Sequence, residues 1–572
     1  MDITFNIGGE AGQGIDTIGD LLTQVFVQAG FYTFTIKDFE SRIRGGYNFT
    51  QVRVSDQPVH APVDYIDVIV ALSRDAVVGQ RDKLVEEGVI IFEDTIEFDD
   101  LEACHYPAPL EKIAKEVGGN IRMMNAAALG AILSVIRFPF KLAEKALSTI
   151  FGRKGEKIVA GNVAVAKALY DLTMENFTGT CRYNLDTLET GPSKDKLLLT
   201  GSRALALGAM AANVKWVSSY PMSPSTSLFM DIVSYSRSLK IGTLQTEDEI
   251  ASLAMAIGAS YGGARSMVTT SGGGFSLMVE GVGLAAMAEI PIVIYNAQRP
   301  GPSTGLPTRT EQADLFFMAF ASQGEFPRIL LAPKDPLEAF DVATRAFNLT
   351  EKFQVPVMIL GDQFLADSVM NVPRIDVSGV RVDRGKLAKS GPDSGYKRYL
   401  LTEDGISPRA FPGDEGKIVV SSGNVHREDG HITEDADIRN KMVAKFMNKL
   451  PAIMKSLNPP QLYGDEEAGI TLLTWGSTWG AANEAMQILL DASVSINHLH
   501  FCDVYPLRTE KLREVLGKSK QIISVEQNVT SQFAQLVKMA TGISVHHHIN
   551  KYDGRPMTAR WIVDEIKEAG MK

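Results

Sequence analysis

Hydrophobic and polar residues follow two different periods along the chain, and the two periods take turns. The stretch "DITFNI" (2–7) alternates residue by residue, as a strand does, whereas "IDTIGDLLTQVFVQAG" (15–30) has the spacing of a helix with one buried face. The glycine-rich turn "GGEAGQG" (8–14) lies between them. A strand, a glycine turn and a helix in this order open an α/β unit, so the pattern predicts an α/β fold.

The same alternation recurs further along the chain and predicts three α/β domains. A polar stretch (182–201) reads as the linker that follows the first domain. Strands that alternate with helices predict a mainly parallel sheet in the second domain, covered on both faces. One segment is poorer in periodic pattern and predicts an extended connection before the third domain. The predicted boundaries are 1–180, 196–375 and 466–572 for the domains and 376–465 for the connection.

Composition narrows the class of protein. The net charge of −11, from 57 basic and 68 acidic residues, argues against nucleic acid as the main partner but allows a local basic pocket for an anionic cofactor. The three cysteines, Cys104, Cys181 and Cys502, lie far apart and form no C-x-x-C, which argues against a disulfide framework, a zinc site or a complete iron–sulfur site within the chain.

The start of the chain and its apolar runs bear on where the protein resides. The first residues lack the pattern of a signal peptide, and no uncharged apolar run reaches the roughly 18 residues of a membrane span. We therefore expect a cytoplasmic protein without membrane contact. We also expect no metal site in the chain, because the consecutive histidines of "HHHIN" (546–550) would alternate between the faces of a strand.

The stretch "LQTEDEIASLAMAIGASYGG" (244–263) brings a carboxylate to the edge of an apolar helix. Glu249 shares one helical face with the apolar residues four, seven and eight positions later, so it points toward buried surface, where an ionised carboxylate is costly. Two interpretations remain open. Thr246 and Glu249 fit the capping box T-x-x-E, in which both serve the helix terminus, or Glu249 is a functional acid.

Two further stretches follow predicted strands. "SSYPMSPSTSLFMDI" (218–232) carries a cluster of hydroxyl groups that includes Ser223, and "TTSGGGFSLM" (269–278) carries three consecutive glycines. Ligands of parallel α/β sheets bind beyond the carboxyl ends of the strands. Together with the acid at position 249, these strand ends present what a cofactor crevice requires, although a hydroxyl there could serve only as a helix cap.

The stretch "NAQRPGPSTGLPTRTEQADL" (296–315) places Arg299 directly after a predicted strand. The proline- and glycine-rich loop behind it holds Thr304 and Thr308. An arginine beside a rigid loop rich in hydroxyl groups suits the binding of a carboxylate, and an exposed arginine on an ordinary surface loop is the alternative.

The turn "GGEAGQG" differs from the dinucleotide fingerprint G-x-G-x-x-G, and no G-K-[ST] follows it as in a P-loop. Glycines before a helix can nevertheless bring backbone amides to an anion. Arg42 and Arg44, beside two glycines, suit phosphate or carboxylate recognition. A tight turn and a solvated, salt-bridged loop are the alternatives.

Taken together, these stretches resemble the α subunit of 2-oxoacid:ferredoxin oxidoreductases, in the form that carries a fused γ domain. "GGEAGQGI" and "RIRGGYNFTQVRVSDQPV" resemble the γ domain. "YPMSPST", "TEDEIA", "TSGGGFSLM" and "RPGPSTGLPT" resemble the domain that binds the pyrimidine side of thiamine diphosphate. "GSTWGAANEAM", "VEQN" and "YDGRPMT" resemble the transketolase-C-terminal-like domain. The "GPSTGLPT" loop and the fused layout most resemble the 2-oxoglutarate enzymes.

The resemblance implies an activity and assigns residues to it. The activity is the coenzyme A-dependent oxidative decarboxylation of 2-oxoglutarate or its reverse, with pyruvate or another 2-oxoacid as the alternative. Glu249 would be the catalytic acid at the aminopyrimidine nitrogen of thiamine diphosphate, where a raised pKa suits proton sharing. The resemblance assigns cofactor contacts to Pro221, Ser223, Glu249, Ser271 and Gly273, substrate contacts to Ser223, Arg299, Thr304 and Thr308, and contacts with coenzyme A or a partner chain to Gly12, Gly14, Arg42 and Arg44.

The chain lacks the G-D-G…N motif that holds diphosphate and Mg²⁺, and it lacks the clustered cysteines of an iron–sulfur site. The resemblance therefore implies a β subunit that shares thiamine diphosphate with this chain and carries Mg²⁺ and a [4Fe-4S] cluster. It also implies electron transfer to ferredoxin, an (αβ)₂ assembly, and a role in the tricarboxylic acid cycle or in CO₂ fixation. An NAD(P)-dependent dehydrogenase and a non-catalytic scaffold subunit remain as alternatives, although the departure from the dinucleotide fingerprint counts against the dehydrogenase.

Overall fold

The structure, a computed structural model, divides into two compact units. The residues that it describes are 1–41, 47–98, 101–188, 190–393 and 395–570. The second unit holds most of the described chain from residue 200 onward. The first unit comprises Met1–Leu199, Ser368–Arg374 and Thr558–Trp561.

The first unit contains a mixed sheet covered by helices. Its strands are β1 (Asp2–Gly9), β2 (Tyr32–Asp38), β3 (Asn48–Ser55), β4 (Ile66–Ala71), β5 (Leu84–Glu93), β6 (His105–Ala108), β7 (Leu197–Thr200) and β14 (Val369–Val372). Its helices are α1 (Ile15–Ala29), α2 (Arg74–Val78), α3 (Leu110–Glu116), α4 (Met124–Val135), α5 (Phe140–Phe151) and α6 (Glu156–Asn176). The strand order is β6-β5-β4-β1-β3-β2-β14-β7.

The alternation of residues along β1 explains how the sheet of the first unit packs against helix α1. Ile3, Phe5 and Ile7 point to one face of the sheet and pack with Phe26 of α1 in the main apolar core. β1 runs parallel to β4 and antiparallel to β3, so the sheet joins a parallel half to an antiparallel half. The glycine turn after β1 leads directly into α1, as the pattern predicts.

The second unit contains two sheets. The strands are β8 (Trp216–Ser219), β9 (Gly242–Gln245), β10 (Ser266–Thr270), β11 (Ile292–Gln298), β12 (Ile329–Leu331), β13 (Pro356–Asp362), β15 (Gln461–Tyr463), β16 (Ile470–Trp475), β17 (Ile496–Phe501), β18 (Asp503–Tyr505), β19 (Gln521–Glu526) and β20 (His547–Asn550). The seven-stranded sheet has the order β18-β12-β13-β11-β10-β8-β9, and the five-stranded sheet has the order β15-β17-β16-β19-β20.

Both sheets of the second unit are parallel except for β18 and β15, which lie antiparallel at one edge of each sheet. The predicted α/β fold class is confirmed. The remaining helices are α7 (Gly201–Ala211), α8 (Thr226–Leu239), α9 (Glu249–Tyr261), α10 (Gly272–Met287), α11 (Leu315–Phe320), α12 (Pro336–Phe353), α13 (Gln363–Asp367), α14 (Ala436–Met447), α15 (Leu450–Ser456), α16 (Trp479–Asp491), α17 (Glu510–Lys518), α18 (Gln532–Thr541) and α19 (Ala559–Glu568).

One apolar core joins the two sheets of the second unit. Val268 and Ile294 of the larger sheet belong to the same buried cluster as Trp475 and Phe533, which lie beside or within the smaller one. Strands β10 and β11 and strands β16 and β17, which the sequence-based prediction assigns to two separate domains (196–375 and 466–572), therefore share one core. Strand β18 also links the two sheets. It belongs to the C-terminal segment, by which we mean the part of the chain from residue 466 onward, but it pairs with β12 of the larger sheet.

The segment 376–465 is not wholly extended, since it contains α14 and α15. Their buried residues include Met442 and Phe446 of α14, which are four positions apart and so share one side of that helix, and Ile453 of α15. Charged residues between them obscure this period in the sequence, which explains why the pattern predicted a connection. Within the ranges given above, no helix combines the length and the apolarity that crossing a membrane requires.

A buried ionic cluster connects this segment to the amino end of the larger sheet. Glu289, shortly before β11, accepts hydrogen bonds from Lys445 and, at 2.6 Å, from Lys449, and all three side chains are about fully buried. Burial by itself raises the pKa of Glu289, but the charges of Lys449 and Lys445 more than offset it and lower the pKa to about 2. Arg398 also donates to the Glu289 carbonyl, at 2.7 Å.

The variant Glu289→Gln should lower the free energy of unfolding by about 3–5 kcal/mol, because it leaves two buried ammonium groups without their carboxylate. Glu280→Gln, at an exposed position of α10, is the matched control and should change stability by less than about 0.5 kcal/mol. Urea-induced unfolding measures both values. Equal stability of the two variants would contradict the assignment.

The same comparison has a predicted pH dependence. The folded-state pKa of Glu289 lies below its ordinary value of 4.5, so its stabilising contribution is present above that pH and is lost as the pH falls through about 2. The difference in stability between the wild type and Glu289→Gln should therefore shrink as the pH is lowered through this window.

Candidate active site

Four neighbouring parallel strands, β11, β10, β8 and β9, end at the same edge of the larger sheet. Ser223 follows β8, Glu249 follows β9, Ser271 follows β10 and Arg299 follows β11. The structure thus brings four of the residues assigned from the sequence to one edge. Because β10 is central among these strands, the first turn of α10 lies in the middle of the group.

The helix cap at α9 is Asp248, not Thr246. The Asp248 side chain accepts a hydrogen bond of 2.6 Å from the amide of Ala251, which satisfies the helix terminus. Thr246 instead donates to the carbonyl of Asp248 at 2.8 Å and contacts Ser252. The capping-box interpretation of Thr246 and Glu249 is therefore wrong. An aspartate one residue before the helix performs that function and leaves the glutamate side chain available.

Glu249 is buried, with 3% of its surface exposed. Its Oε1 has no hydrogen-bond partner in the part of the chain that the structure describes. The backbone of Gly274 lies against this carboxylate, since a Cβ at position 274 would come within 2.5 Å of Glu249 Oε1 and would also overlap Thr270. The third glycine of "SGGG" therefore makes the space that the carboxylate occupies.

Burial raises the pKa of Glu249, its own backbone amide opposes this shift, and the charge of Asp248 adds to it. Glu249 therefore holds a proton more readily than an exposed glutamate does. Glu247, by contrast, is exposed. A sheltered acid with one free oxygen can share a proton with a nitrogen of a bound heterocycle.

Arg299 and Ser223 meet across the sheet edge. Nη1 of Arg299 donates a hydrogen bond of 2.6 Å to the backbone carbonyl of Ser223. The Ser223 side chain is exposed, and so are Pro221 and Gly273. Burial lowers the pKa of Arg299 and the charge of Asp314 opposes this shift. An arginine held beside an exposed hydroxyl group at a strand end can bind a carboxylate.

Two more buried polar atoms lie at this edge without a partner. Ser271 Oγ and Asn296 Oδ1 have no hydrogen bond within the described residues, although both side chains are fully buried. Ser271 directly follows β10, and Asn296 lies on β11 opposite Thr270. Buried polar groups without partners are rare, and they mark a place where a ligand or water completes the hydrogen bonding.

Asp314 is a site residue that the sequence-based interpretation missed. Its Oδ2 accepts 2.9 Å from Asn296 Nδ2, and its amide donates 3.0 Å to the side chain of Gln298. A Cβ at Gly272 would lie 2.5 Å from Asp314 Oδ2, so the carboxylate packs on the first turn of α10. The signal in the sequence was the pair of acids in "TEQADL" (310–315). Asp314, the second of them, comes fifteen residues after Arg299.

Burial raises the pKa of Asp314, whereas the hydrogen bond from Asn296 and the charge of Arg299 lower it. The first acid of the pair, Glu311, has a pKa of about 7, raised by burial and then by the charge of Asp314. The edge thus carries a guanidinium group with two acids in its loop.

The other predicted site residues that the structure describes lie in two loops, one in each unit. Thr304 is exposed and Thr308 is half-buried, both in the loop after Arg299. Gly12 and Gly14 have φ values of 94° and 88° and form the turn before α1 in the first unit, where Gly14 is the cap residue. Arg42 and Arg44 lie outside the described residues. Across the described ranges, no group of three or more His, Cys, Asp or Glu side chains could hold a metal ion.

Each of the two units contains a region that matches a known protein family. Residues 207–445 match the family described as "Pyruvate flavodoxin/ferredoxin oxidoreductase, thiamine diP-bdg". Residues 4–172 match the family described as "Pyruvate ferredoxin/flavodoxin oxidoreductase".

Relatives match over the full length of the chain. The chain is 32% identical over 634 aligned positions to the 2-oxoacid:ferredoxin oxidoreductase subunit alpha of Sulfolobus sp, covering 100% of this chain and 97% of that protein. It is 27% identical to the 2-oxoglutarate oxidoreductase subunit KorA of Mycobacterium tuberculosis, covering 94% and 87%. Among solved structures, the 2-oxoglutarate:ferredoxin oxidoreductase from Magnetococcus marinus, with 2-oxoglutarate, coenzyme A and succinyl-CoA bound, matches with a TM-score of 0.92, 31% identity and 99% coverage of both chains.

The variant Gly274→Ala tests the contact that shelters Glu249. The added Cβ overlaps the Glu249 carboxylate, so we expect the free energy of unfolding to fall by about 1–3 kcal/mol. Gly258→Ala, on α9 with nothing within 4 Å of its Cβ, is the control and should raise stability by about 0.5–1 kcal/mol. Chemical unfolding measures both, and a Gly274→Ala protein as stable as the wild type would contradict the packing.

Proposed function

The chain belongs to the family of 2-oxoacid:ferredoxin oxidoreductase α subunits, and on that premise we propose that the enzyme it builds acts on 2-oxoglutarate. The reaction is 2-oxoglutarate with coenzyme A to succinyl-CoA and CO₂, with two electrons passing to oxidised ferredoxin, or the reverse. The observation that carries the choice of substrate is the match over 99% of the chain to an enzyme solved with 2-oxoglutarate and succinyl-CoA bound.

The sheet edge fits thiamine diphosphate in its polar groups. Glu249 Oε1, Ser271 Oγ and Asn296 Oδ1 are buried atoms that lack a partner in the described chain. A Cβ on Gly273 would meet nothing closer than 3.7 Å, so the backbone there is open to a ligand. When bound, thiamine diphosphate supplies the electron sink for decarboxylation of a 2-oxoacid.

Glu249 contributes a proton position. Its sheltered Oε1 has no hydrogen-bond partner among the described residues, and burial keeps a proton on the carboxylate more readily than on an exposed acid. We assign to this oxygen the hydrogen bond to the pyrimidine nitrogen of the cofactor, which makes Glu249 the catalytic acid. Asp248 caps the helix that carries Glu249, and Gly274 leaves the space that the side chain occupies.

Arg299 and Ser223 contribute substrate binding. The guanidinium group stays at the sheet edge through its hydrogen bond to the carbonyl of Ser223, whose side chain is exposed, and the exposed Thr304 follows in the loop after Arg299. We assign the 2-oxoacid carboxylate to Arg299, because a guanidinium group pairs with a carboxylate through two parallel hydrogen bonds. Thr304 and Thr308 are proposed contacts for the far end of the substrate.

The assembly is proposed to include a β subunit that carries Mg²⁺ and a [4Fe-4S] cluster, in an (αβ)₂ complex that reduces ferredoxin. The name of the Sulfolobus relative, an alpha subunit, supports a multi-subunit enzyme. Coenzyme A binding is supported by the coenzyme A-bound neighbour. Gly12, Gly14, Arg42 and Arg44 remain proposed contacts for coenzyme A or the partner chain.

The variant Glu249→Gln should reduce turnover by a factor of about a hundred or more, because the amide cannot exchange the proton that the carboxylate holds. Glu247→Gln, at an exposed position two residues earlier, is the matched control, and its activity should stay within about twofold. Turnover is measured with a viologen dye on the complex with its β subunit, and size-exclusion chromatography checks assembly. Full activity of Glu249→Gln in a normally assembled complex would contradict the catalytic role of Glu249 and support the alternative of a non-catalytic scaffold subunit.

Substrate choice is tested on the purified complex with 2-oxoglutarate, pyruvate and branched-chain 2-oxoacids, each with coenzyme A. We expect the highest kcat/KM with 2-oxoglutarate. A higher value for pyruvate would support the alternative that the family description names. Reduction of NAD(P)⁺ in place of the dye would instead identify a dehydrogenase.

A further inference from the structure

The residues Thr310–Phe316, which we call the strap, connect the loop behind Arg299 to helix α11. The strap carries Asp314, whose carboxylate packs on Gly272 and is bonded to Asn296. Its other side faces the five-stranded sheet and the loops around it. Three sequence motifs of the C-terminal segment, "GSTWGAANEAM", "VEQN" and "YDGRPMT", have no part in the proposed function, and all three contact the strap or the loop leading to it.

The motif "VEQN" contributes backbone and side-chain bonds to Gln312. The amide of Gln312 donates 2.7 Å to the carbonyl of Gln527, and Asn528 Nδ2 donates 3.2 Å to the carbonyl of Gln312. Glu526 fixes Asn528 in turn, since its Oε2 accepts a hydrogen bond of 2.9 Å from the same nitrogen of Asn528. Glu526 is itself fixed by the amides of Phe533 and Ala534 at the start of α18.

Gln532, the first residue of α18, holds two further points of the strap. Its Oε1 accepts 2.9 Å from the amide of Phe316, and its Nε2 donates 2.7 Å to the carbonyl of Ala313. The backbone amide of Gln532 in turn donates 3.1 Å to Asn528 Oδ1. One amide side chain thus bonds to the strap on both sides of Asp314.

The other two motifs hold the start of the strap. Gln312 Nε2 donates 3.1 Å to Asp362, which also accepts a hydrogen bond from Ser477 of "GSTWGAANEAM". The amide of Thr310 donates 3.3 Å to the carbonyl of Gly554 in "YDGRPMT". Three separate loops of the C-terminal segment therefore converge on seven residues that follow the proposed carboxylate-binding loop.

We propose that the C-terminal segment positions Arg299, the proposed carboxylate-binding residue, together with Asp314; we call these two residues the clamp. Gln532 is then a positioning residue that acts on the clamp through the strap. This inference rests on the proposed role of Arg299 in binding the carboxylate. It follows from the continuity of the hydrogen bonds: Gln532 fixes Ala313 and Phe316, and Asp314 between them is fixed to Asn296 and Gln298, the latter directly before Arg299. If the strap is released at Gln532, Asp314 can shift and with it Gln298, which precedes Arg299 in the chain.

The test compares Gln532→Ala with Gln535→Ala in the complex with the β subunit. Gln535 lies on the same helix and is exposed, and among the residues that the structure describes its side chain bonds only locally, to Thr530 at 2.5 Å. Its removal therefore controls for the loss of a glutamine from α18. For Gln532→Ala we expect the KM for the 2-oxoacid to rise about tenfold, with kcat and the KM for coenzyme A within about twofold. Gln535→Ala should resemble the wild type in all three.

A second measurement follows the strap directly. Hydrogen–deuterium exchange read by mass spectrometry should show faster exchange of the peptide that contains the Phe316 amide in Gln532→Ala and no change there in Gln535→Ala. Should Gln532→Ala fold poorly, Gln532→Glu provides the same comparison, because it keeps the acceptor for Phe316 and places an oxygen opposite the Ala313 carbonyl. Its KM for the 2-oxoacid should rise as well.

Two results would overturn the proposal. Faster exchange at Phe316 with an unchanged KM means that the strap does not position the clamp. A fall in kcat and thermal stability without a change in KM means that Gln532 is only structural. Failure of the proposed function is distinguishable, because it appears in the wild type as absent turnover of every 2-oxoacid. If another 2-oxoacid is the substrate, the same KM comparison is made with that acid.

Discussion

A buried carboxylate at the beginning of a helix can remain free only if another residue caps that helix. In this chain Asp248 caps α9 and Gly274 leaves the space for the side chain of Glu249, so the acid sits in an apolar place with one oxygen unpaired among the described residues. Desolvation then raises its pKa. The rest of the edge is arranged around this constraint, because the first turn of α10 separates Glu249 from Asp314 and brings each against a glycine.

The amino and carboxyl ends of the strands in the larger sheet carry different kinds of buried polar group. At the amino end, Glu289 is fully paired with Lys445 and Lys449, and the site is closed by α14 and α15. At the carboxyl end, Glu249 and Ser271 have buried atoms without a partner in the described chain. A paired buried charge serves the fold, whereas an unpaired polar atom at the end of a parallel strand serves a ligand. This contrast supports the assignment of the edge as the active site.

The smaller sheet explains why the chain needs more than a cofactor-binding layer. Gln532 and Asn528, which follow strand β19 of this sheet, bond to the strap that carries Asp314. The strap has no strand and enters helix α11 only at Leu315, so its position depends on these hydrogen bonds. The shared apolar core of the two sheets keeps that support rigid.

The sequence by itself determined the α/β class, the strand ends that carry the site, and the presence of Glu249 on a buried helical face, because periodicity and helix spacing are local properties of the chain. Only the tertiary structure decided that Asp248, not Thr246, caps the helix, since a capping box and a neighbouring aspartate give the same local pattern. It also decided that Gly274 faces Glu249, that Asp314 is bonded to Asn296, and that Gln527, Asn528 and Gln532 bond to the strap. These are contacts between residues far apart in the chain, and no local period encodes which distant neighbour a side chain meets.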